Sequence, residues 1–213
     1  KEGLNDLEQM WYLMDLIWDD FKCDNINLDW EKIGKFYSHP VWLLNGLFIE
    51  QHDVSMGHRH SISDWMVNKN LKNVVDYGGG FGTLARLIAQ KDDNISMSIY
   101  EPHPSDFGLK RAEEFSNIEI IDTLDKKYNC LVSTDVLEHI PDDNQAMSEL
   151  FRVLAPNGIG IFQIPQDLSR EFTFEDDSVT DPKERAKIFG QYDHVRVYGR
   201  DYFDKLREIG FNV

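Results

Sequence analysis

The sequence is short of cysteine, of basic side chains and of long apolar runs, and each shortage removes a class of protein. Its two cysteines, Cys23 and Cys130, are too few for a disulfide framework and form no Cys-x-x-Cys pair, which suits a reducing compartment and two inert buried thiols. Lys and Arg number 22 against 38 Asp and Glu, a formal net charge of −16. That field repels phosphate backbones and anionic lipid surfaces, so nucleic acid is not an expected partner, and the acidity reads as a solubilising surface. No apolar run approaches the roughly 20 residues that span a bilayer, and the acidic N-terminal stretch has no signal-peptide character. The expectation is a cytoplasmic protein with no membrane partner. No repeat or low-complexity tract occurs. A chain of 213 residues with 41% hydrophobic content suffices for one packed domain and an appendage. It starts at Lys1 rather than Met and stops at "GFNV", which reads as the opening of a strand, so the C-terminal strands are expected to be truncated.

What is present falls into two parts. Leu4, Leu7, Trp11, Met14, Trp18 and Phe21 recur at threes and fours, the spacing of one buried helical face. A second apolar stretch, "DWEKIGKFYSHPVWLLNGLFIEQ", is broken by Pro40; its aromatics Tyr37, Trp42 and Phe48 read as core, with some available to wall an acceptor pocket. Ser55 then stands where a cap would open another helix. Residues 1–70 thus read as a helical cap. From residue 71 short β-rich runs alternate with helical patterns, as in a parallel sheet covered by helices. Strands are expected at 73–77, 96–101, 117–121, 129–134, 158–164 and from 211; helices at 82–91, 105–115, 142–155 and 200–209. In the third of these helices Met147, Leu150, Phe151 and Leu154 form the expected buried stripe. The segment 166–190 is longer than an ordinary connection and follows a strand's carboxyl end, the position of a lid over a core spanning 71–213.

The stretch "VVDYGGGFGTLARLIA", residues 74–89, places an acid before three consecutive glycines, then a fourth, at the turn from the first strand into its helix. In open parallel sheets ligands bind at that edge, and glycines there permit unusual backbone angles and close approach by a nucleoside or its attached chain. Read from Gly78 the run is G-G-G-F-G-T, and Thr83 in the sixth place departs from the dinucleotide fingerprint. The pattern D-x-G-x-G-x-G instead resembles the first motif of class I S-adenosylmethionine-dependent methyltransferases. "SMSIYEP", "STDVLEHIPD" and "ELFRVLAPNGIGIFQIP" are similar to that family's later motifs in the right order. Over 71–213 the chain resembles most the broad type 11 group, which includes small-molecule and sugar methyltransferases. The resemblance implies a Rossmann-like α/β fold and S-adenosylmethionine as cofactor. It also implies a donor site in which Gly78, Gly80 and Gly82 shape the pocket, Asp76 orients the loop and Glu101 holds the ribose hydroxyls. For adenine it offers Asp122 or Asp125, with Asp122 preferred.

Methyl transfer from a sulfonium needs alignment and desolvation more than a nucleophilic side chain, and a base only where the acceptor carries a proton. His139, just past the fourth strand, and His194 are the candidate bases. "FGQYDHVRVYGRDYF", 189–203, resembles a stretch of some bacterial type 11 enzymes of surface-glycan or small-molecule pathways. If extended, it sends His194, Arg196 and Tyr198 to one face. Arg196 and Tyr198 are therefore expected to bind an acceptor, with His58 near the bound ligand. His52, His58 and His60 have no acidic partner at ligand spacing, so no metal is expected there. The leading reading is methylation of an oxygen on a small molecule such as a sugar or glycan precursor. N-methylation of a small amine and a donor-binding scaffold without chemistry remain alternatives.

Overall fold

The computed structural model describes residues 6–24 and 27–213, so the predicted helical position Leu4, and the side chain of Leu7, lie outside the described residues. Four helices form the N-terminal part: α1 (Asp6–Asp20), α2 (Trp30–Tyr37), α3 (Val41–Gln51) and α4 (Asp53–Asn68). Asp29 caps α2 by accepting from the Lys32 N–H, and Pro40, whose fixed φ suits a helix start, stands at the N-cap of α3. Ser55 is not the cap of α4. The His52 ring takes that place, accepting from the Ser55 N–H at 3.4 Å and pairing with the Ser55 hydroxyl at 2.9 Å. Met10, Met14, Trp18, Ile33, Phe36 and Val41 bury a common aromatic-rich core together with Tyr192 from near the other end of the chain. Trp18, Tyr37, Trp42 and Tyr192 surround the fully buried Phe36 ring at centroid distances of 5.0 to 6.4 Å.

Beyond residue 71 a five-stranded sheet forms from β1 (Asn73–Tyr77), β2 (Ser96–Tyr100), β3 (Ile118–Ile121), β4 (Tyr128–Thr134) and β5 (Leu154–Gln163). Its order is β3-β2-β1-β4-β5 and every pairing is parallel. Helices α5 (Thr83–Lys91), α6 (Asp106–Ala112), α7 (Asp143–Val153), α8 (Pro182–Phe189) and α9 (Tyr202–Ile209) complete the element order, with a short pair, β6 (Phe174–Glu175) and β7 (Arg196–Val197). Both faces of the sheet are covered, so neighbouring residues of one strand serve different cores. Val74, Met97, Ile99, Cys130 and Val132 pack with Met66 of α4 and Leu84, Ala85 and Ile88 of α5. Val75 and Leu131 pack instead with Met147, Leu150 and Val153 of α7 and with Tyr202 and Leu206 of α9. Burial pushes the Cys130 thiol up to about 12 and the half-buried Cys23 thiol up to about 11, and both are free.

Two expectations change. Phe151 is 41% exposed, because the buried stripe of α7 continues through Val153 and Ala146 instead; Phe151 flanks that stripe and meets Phe211 at 5.0 Å. Residues 211–213 form no strand; the Phe211 ring meets Phe151 at 5.0 Å and Phe162 at 5.2 Å. The segment 166–190 carries β6 and α8, and antiparallel pairing of β6 with β7 fastens it to the chain that follows. The shared aromatic cluster generates a prediction. Phe36→Ala should lower stability by about 3–5 kcal/mol, the usual loss for a fully buried Phe; urea unfolding reads this directly, and a loss below about 1 kcal/mol would show that the cap does not depend on that cluster.

Candidate active site

The strand order reverses at the carboxyl edge between β1 and β4, the place where open parallel sheets take ligands. The glycine loop leaves β1 there. Gly78 has φ +72, and a Cβ on it would stand 2.6 Å from Val136 Cγ2, so only glycine lets this loop lie against the chain leaving β4. Gly80 has φ +52 and nothing within 4 Å of its Cβ position, which leaves open space on the loop's free side. Gly82, φ 67, is the N-cap of α5 and carries no side chain to compete for the helix N-terminus.

The predicted carboxylates flank this loop. Asp76, on β1, is 3% exposed, and burial raises its carboxyl to about 6 against the pull of Arg59. Glu101 follows the last residue of β2 and is half-buried. Its Oε1 accepts from the His103 N–H at 3.2 Å; burial raises its pKa, opposed by the amides of His103 and Gly80. Asp122 is exposed one residue past β3, next to Ile121, whose carbonyl accepts from the Glu101 N–H at 3.0 Å. His58 is exposed and lines a cavity of about 50 Å³ with Ser55, Arg59, Ile62, Leu84, Thr134, Asp135 and Gln163, roofed by α4 over the ends of β4 and β5.

On the other side of the loop the chain leaves β4 through Asp135, a non-glycine residue at φ 55, and enters a single 3₁₀ turn, Leu137–His139. A backbone in the left-handed region costs free energy and persists only where its surroundings fix it. The Asp135 N–H donates to the Gln163 carbonyl at 2.9 Å, and Arg196 holds the turn that follows. Its guanidinium, 1% exposed, donates to the carbonyls of Leu137, Ile140 and Pro141, and to Glu175 Oε1 at 2.6 Å; Asp143 lies 3.7 Å away. Tyr198, fully buried, donates to Asp143 Oδ2 at 2.9 Å, and Lys205 pairs with the same carboxylate. These facts correct the sequence reading of Arg196 and Tyr198 as acceptor-binding residues. Their polar atoms are spent on the protein itself, and they hold the turn in place.

The turn brings together residues far apart in the chain. Val195 N–H donates to the Glu138 carbonyl, the rings of His139 and His194 meet edge to face at 4.6 Å, and His139 Nδ1 stands 3.2 Å from Asp193 Oδ2. His194 Nδ1 is 3.0 Å from the Phe189 carbonyl, which requires that nitrogen to carry the proton and leaves Nε2 as an acceptor. Burial lowers His139, but the charge and hydrogen bond of Asp193, with Glu138 and Asp135, outweigh it and bring its pKa to about 9. For His194, burial and the neighbouring His139 outweigh Asp193 and the Phe189 carbonyl and take it down to about 4. Glu138 is 1% exposed and neither of its carboxylate oxygens has a hydrogen-bond partner among the described residues. The structure brings the two histidines expected from sequence together with Asp193 and with Glu138, which the sequence reading did not single out. The adjacent "LEH" was the available signal, yet nothing local tells that residue 138 points inward.

Asp76 yields a pH prediction. Its folded pKa, about 6, lies above the unfolded carboxylate value of 3.8, so the folded state binds the proton more tightly and stability falls as pH rises from 3.8 to about 6. At two units of displacement the cost above that window is on the order of 3 kcal/mol. Asp76→Asn should therefore be more stable than the parent at pH 7, with the difference shrinking as pH falls to 4, while donor binding weakens. Chemical unfolding across pH tests it; a pH-independent difference would remove the buried charge from the account.

Comparison with known proteins agrees with this geometry. A family model described as a methyltransferase domain matches residues 51–213. The ubiquinone biosynthesis O-methyltransferases of Pseudomonas fluorescens strains Pf0-1 and SBW25 are each 24% identical over 143 residues, 62% of this chain and 61% of the relative. The chain thus spans less than two thirds of the length of these curated relatives. Among solved structures, an O-methyltransferase family protein from Burkholderia thailandensis superposes with a TM-score of 0.59 at 14% identity, over 96% of this chain and 66% of that one. Coclaurine N-methyltransferase bound to N-methylheliamine and SAH does so at 0.53 and 14%, over 70% and 48%. With the family model covering more than half of its length and the glycine loop, Asp76 and Glu101 at the sheet's switch point, the chain belongs to the S-adenosylmethionine-dependent methyltransferase-domain family.

Proposed function

We propose that the chain methylates an oxygen atom of a small, ring-bearing molecule. The observation that carries this reading is the pairing, across the glycine loop, of a ribose-type carboxylate site at Glu101 with a buried histidine–carboxylate cluster at 138–139 and 193–194. S-adenosylmethionine, when bound, supplies an electrophilic methyl group. The residues fit such a donor: Gly80 leaves open space on the loop, and the Glu101 carboxylate keeps acceptor capacity for vicinal hydroxyls beside the His103 and Gly80 amides. Asp76 stiffens the loop from beneath, its Oδ2 so close that a Cβ on Gly79 would stand 2.7 Å from it. Asp122 is the proposed adenine partner, and His58 the proposed ligand contact on the cap. Loss of the acceptor's hydroxyl proton is assigned to the cluster of Glu138, His139 and His194.

The acceptor's ring is accommodated by the aromatic walls of the cap. Tyr37 lies nearly parallel to His103, 6° between planes, and beside Trp42. Such faces suit an aromatic ring or the apolar face of a sugar. The glycan-precursor version rested partly on Arg196 and Tyr198 and is weakened by their commitment to the fold. N-methylation stands second. The unpartnered Glu138 carboxylate would attract an ammonium group, but such a pair keeps the amine protonated and withholds the lone pair that methylation needs.

S-adenosylhomocysteine should bind with a favourable enthalpy measurable by calorimetry, and Glu101→Ala should weaken it by about 1.5–3 kcal/mol through loss of charged hydrogen bonds. Methyl transfer should favour hydroxylated ring compounds over matched amines. Unchanged affinity in a folded Glu101→Ala variant, or binding of nicotinamide dinucleotide in place of the thioether, would contradict the donor site. Preference for the amines would transfer the assignment to the second reading.

A further inference from the structure

We infer that Glu138, His139 and His194 bind a divalent metal ion of the zinc type, which holds the acceptor's hydroxyl oxygen beside the donor loop. Three ligand atoms, one from each residue, lie within 4.8 Å of one another. In a tetrahedral site with bonds of 2.0–2.1 Å the ligand atoms stand about 3.3 Å apart, so roughly an ångström of side-chain adjustment brings them onto a common ion.

The second observation is the state of these side chains without an ion. Both oxygens of Glu138 are buried and unpartnered among the described residues, an arrangement that costs several kcal/mol for a carboxylate unless a cation or proton meets it. Both imidazoles are oriented from behind. His194 gives its Nδ1 proton to the Phe189 carbonyl at 3.0 Å, and His139 Nδ1 faces Asp193 Oδ2 at 3.2 Å. A histidine that ligates through one nitrogen characteristically donates its other N–H to a carbonyl or carboxylate, which fixes the ring and raises its basicity. His194 has that support as a hydrogen bond, and His139 has it only through the charge of Asp193, its Nδ1 making no hydrogen bond among the described residues. The surrounding field favours a cation, since Asp135 and Asp193 act on this cluster and the nearby guanidinium of Arg196 is bound to three carbonyls and Glu175.

Two imidazoles and one carboxylate favour zinc and its first-row neighbours over magnesium or calcium, which take oxygen ligands. Three protein ligands leave a position open, as in catalytic rather than structural sites. Val136, adjacent to this turn, lies against the loop at Gly78, so the proposed ion stands next to the donor side of the fold. A hydroxyl oxygen bound there loses its proton more readily: the O–H bond breaks, the electron pair stays on oxygen, and the proton passes to solvent. This deepens the O-methylation reading and rests on it for the identity of the bound oxygen, but not for the ion itself.

The test uses the whole chain, stripped with a chelator and titrated with Zn²⁺ alone. One ion per chain is expected, with affinity falling at least about tenfold in Glu138→Gln and in His194→Asn and unchanged in His60→Asn on the exposed face of α4. Zn²⁺ should also raise the thermal midpoint of the parent chain, by mass action, a readout that needs no variant. S-adenosylhomocysteine binding should persist in both site variants. Absence of stoichiometric uptake by the parent chain, or uptake surviving both substitutions, would overturn the site. Uptake without methyl transfer to any hydroxyl acceptor would retire the O-methylation reading and keep the ion. Hydroxyl methylation undiminished by chelation would do the reverse.

Discussion

The buried guanidinium of Arg196 is the contact on which the acceptor half of this molecule depends. A cation enclosed to this degree is tolerated only with several partners, and it has three carbonyls of one turn and two carboxylates around it. Those partners come from the exit of β4, the start of α7 and β6. One side chain therefore joins the sheet, the helix behind it and the inserted segment 166–190. The 3₁₀ turn that carries His139 is held from the same point. A lysine could not replace it, since a point charge cannot satisfy carbonyls arranged around a planar fork.

The donor half rests on a different constraint, the close approach of two chain segments at the switch point of the sheet. Gly78 against Val136 sets the width of the crevice, and β1 and β4 supply one wall each. The cap helices close it from above: α4 lays His58 and Arg59 over the end of β4, and α3 reaches Thr83 and Arg86 of α5 through Glu50. The proposed donor and acceptor groups stand on the two sides of one loop, and the aromatic core around Phe36 ties the cap to the same region through Tyr192.

Much of this was legible in the sequence because it is local. The strand–glycine–helix unit, the acid after β2 and the period-2 and period-3.6 patterns are properties of short windows, and each expected strand from 73 to 164 has its counterpart in the fold. The misreadings share a cause. Arg196 and Tyr198 looked like site chemistry, since charged and phenolic groups are seldom wholly buried; only long-range partners such as Asp143 reveal that they are structural. Ser55 lost the cap of α4 because the preceding histidine could reach the same amide. Residues 211–213 carry strand-like residues but turn onto Phe162 instead. Glu138 gave no sign of its burial, because a 3₁₀ turn of one cycle has no periodicity to read.

Donor and acceptor chemistry are proposed to meet across the glycine loop. A crystal structure with S-adenosylhomocysteine tests it most directly, by the position of the sulfur. The account predicts ribose hydroxyls on Glu101 and a sulfur that faces Glu138, His139 and His194 across a space wide enough for one acceptor oxygen. A sulfur turned away from those residues, with the α3–α4 segment standing between them, would contradict it.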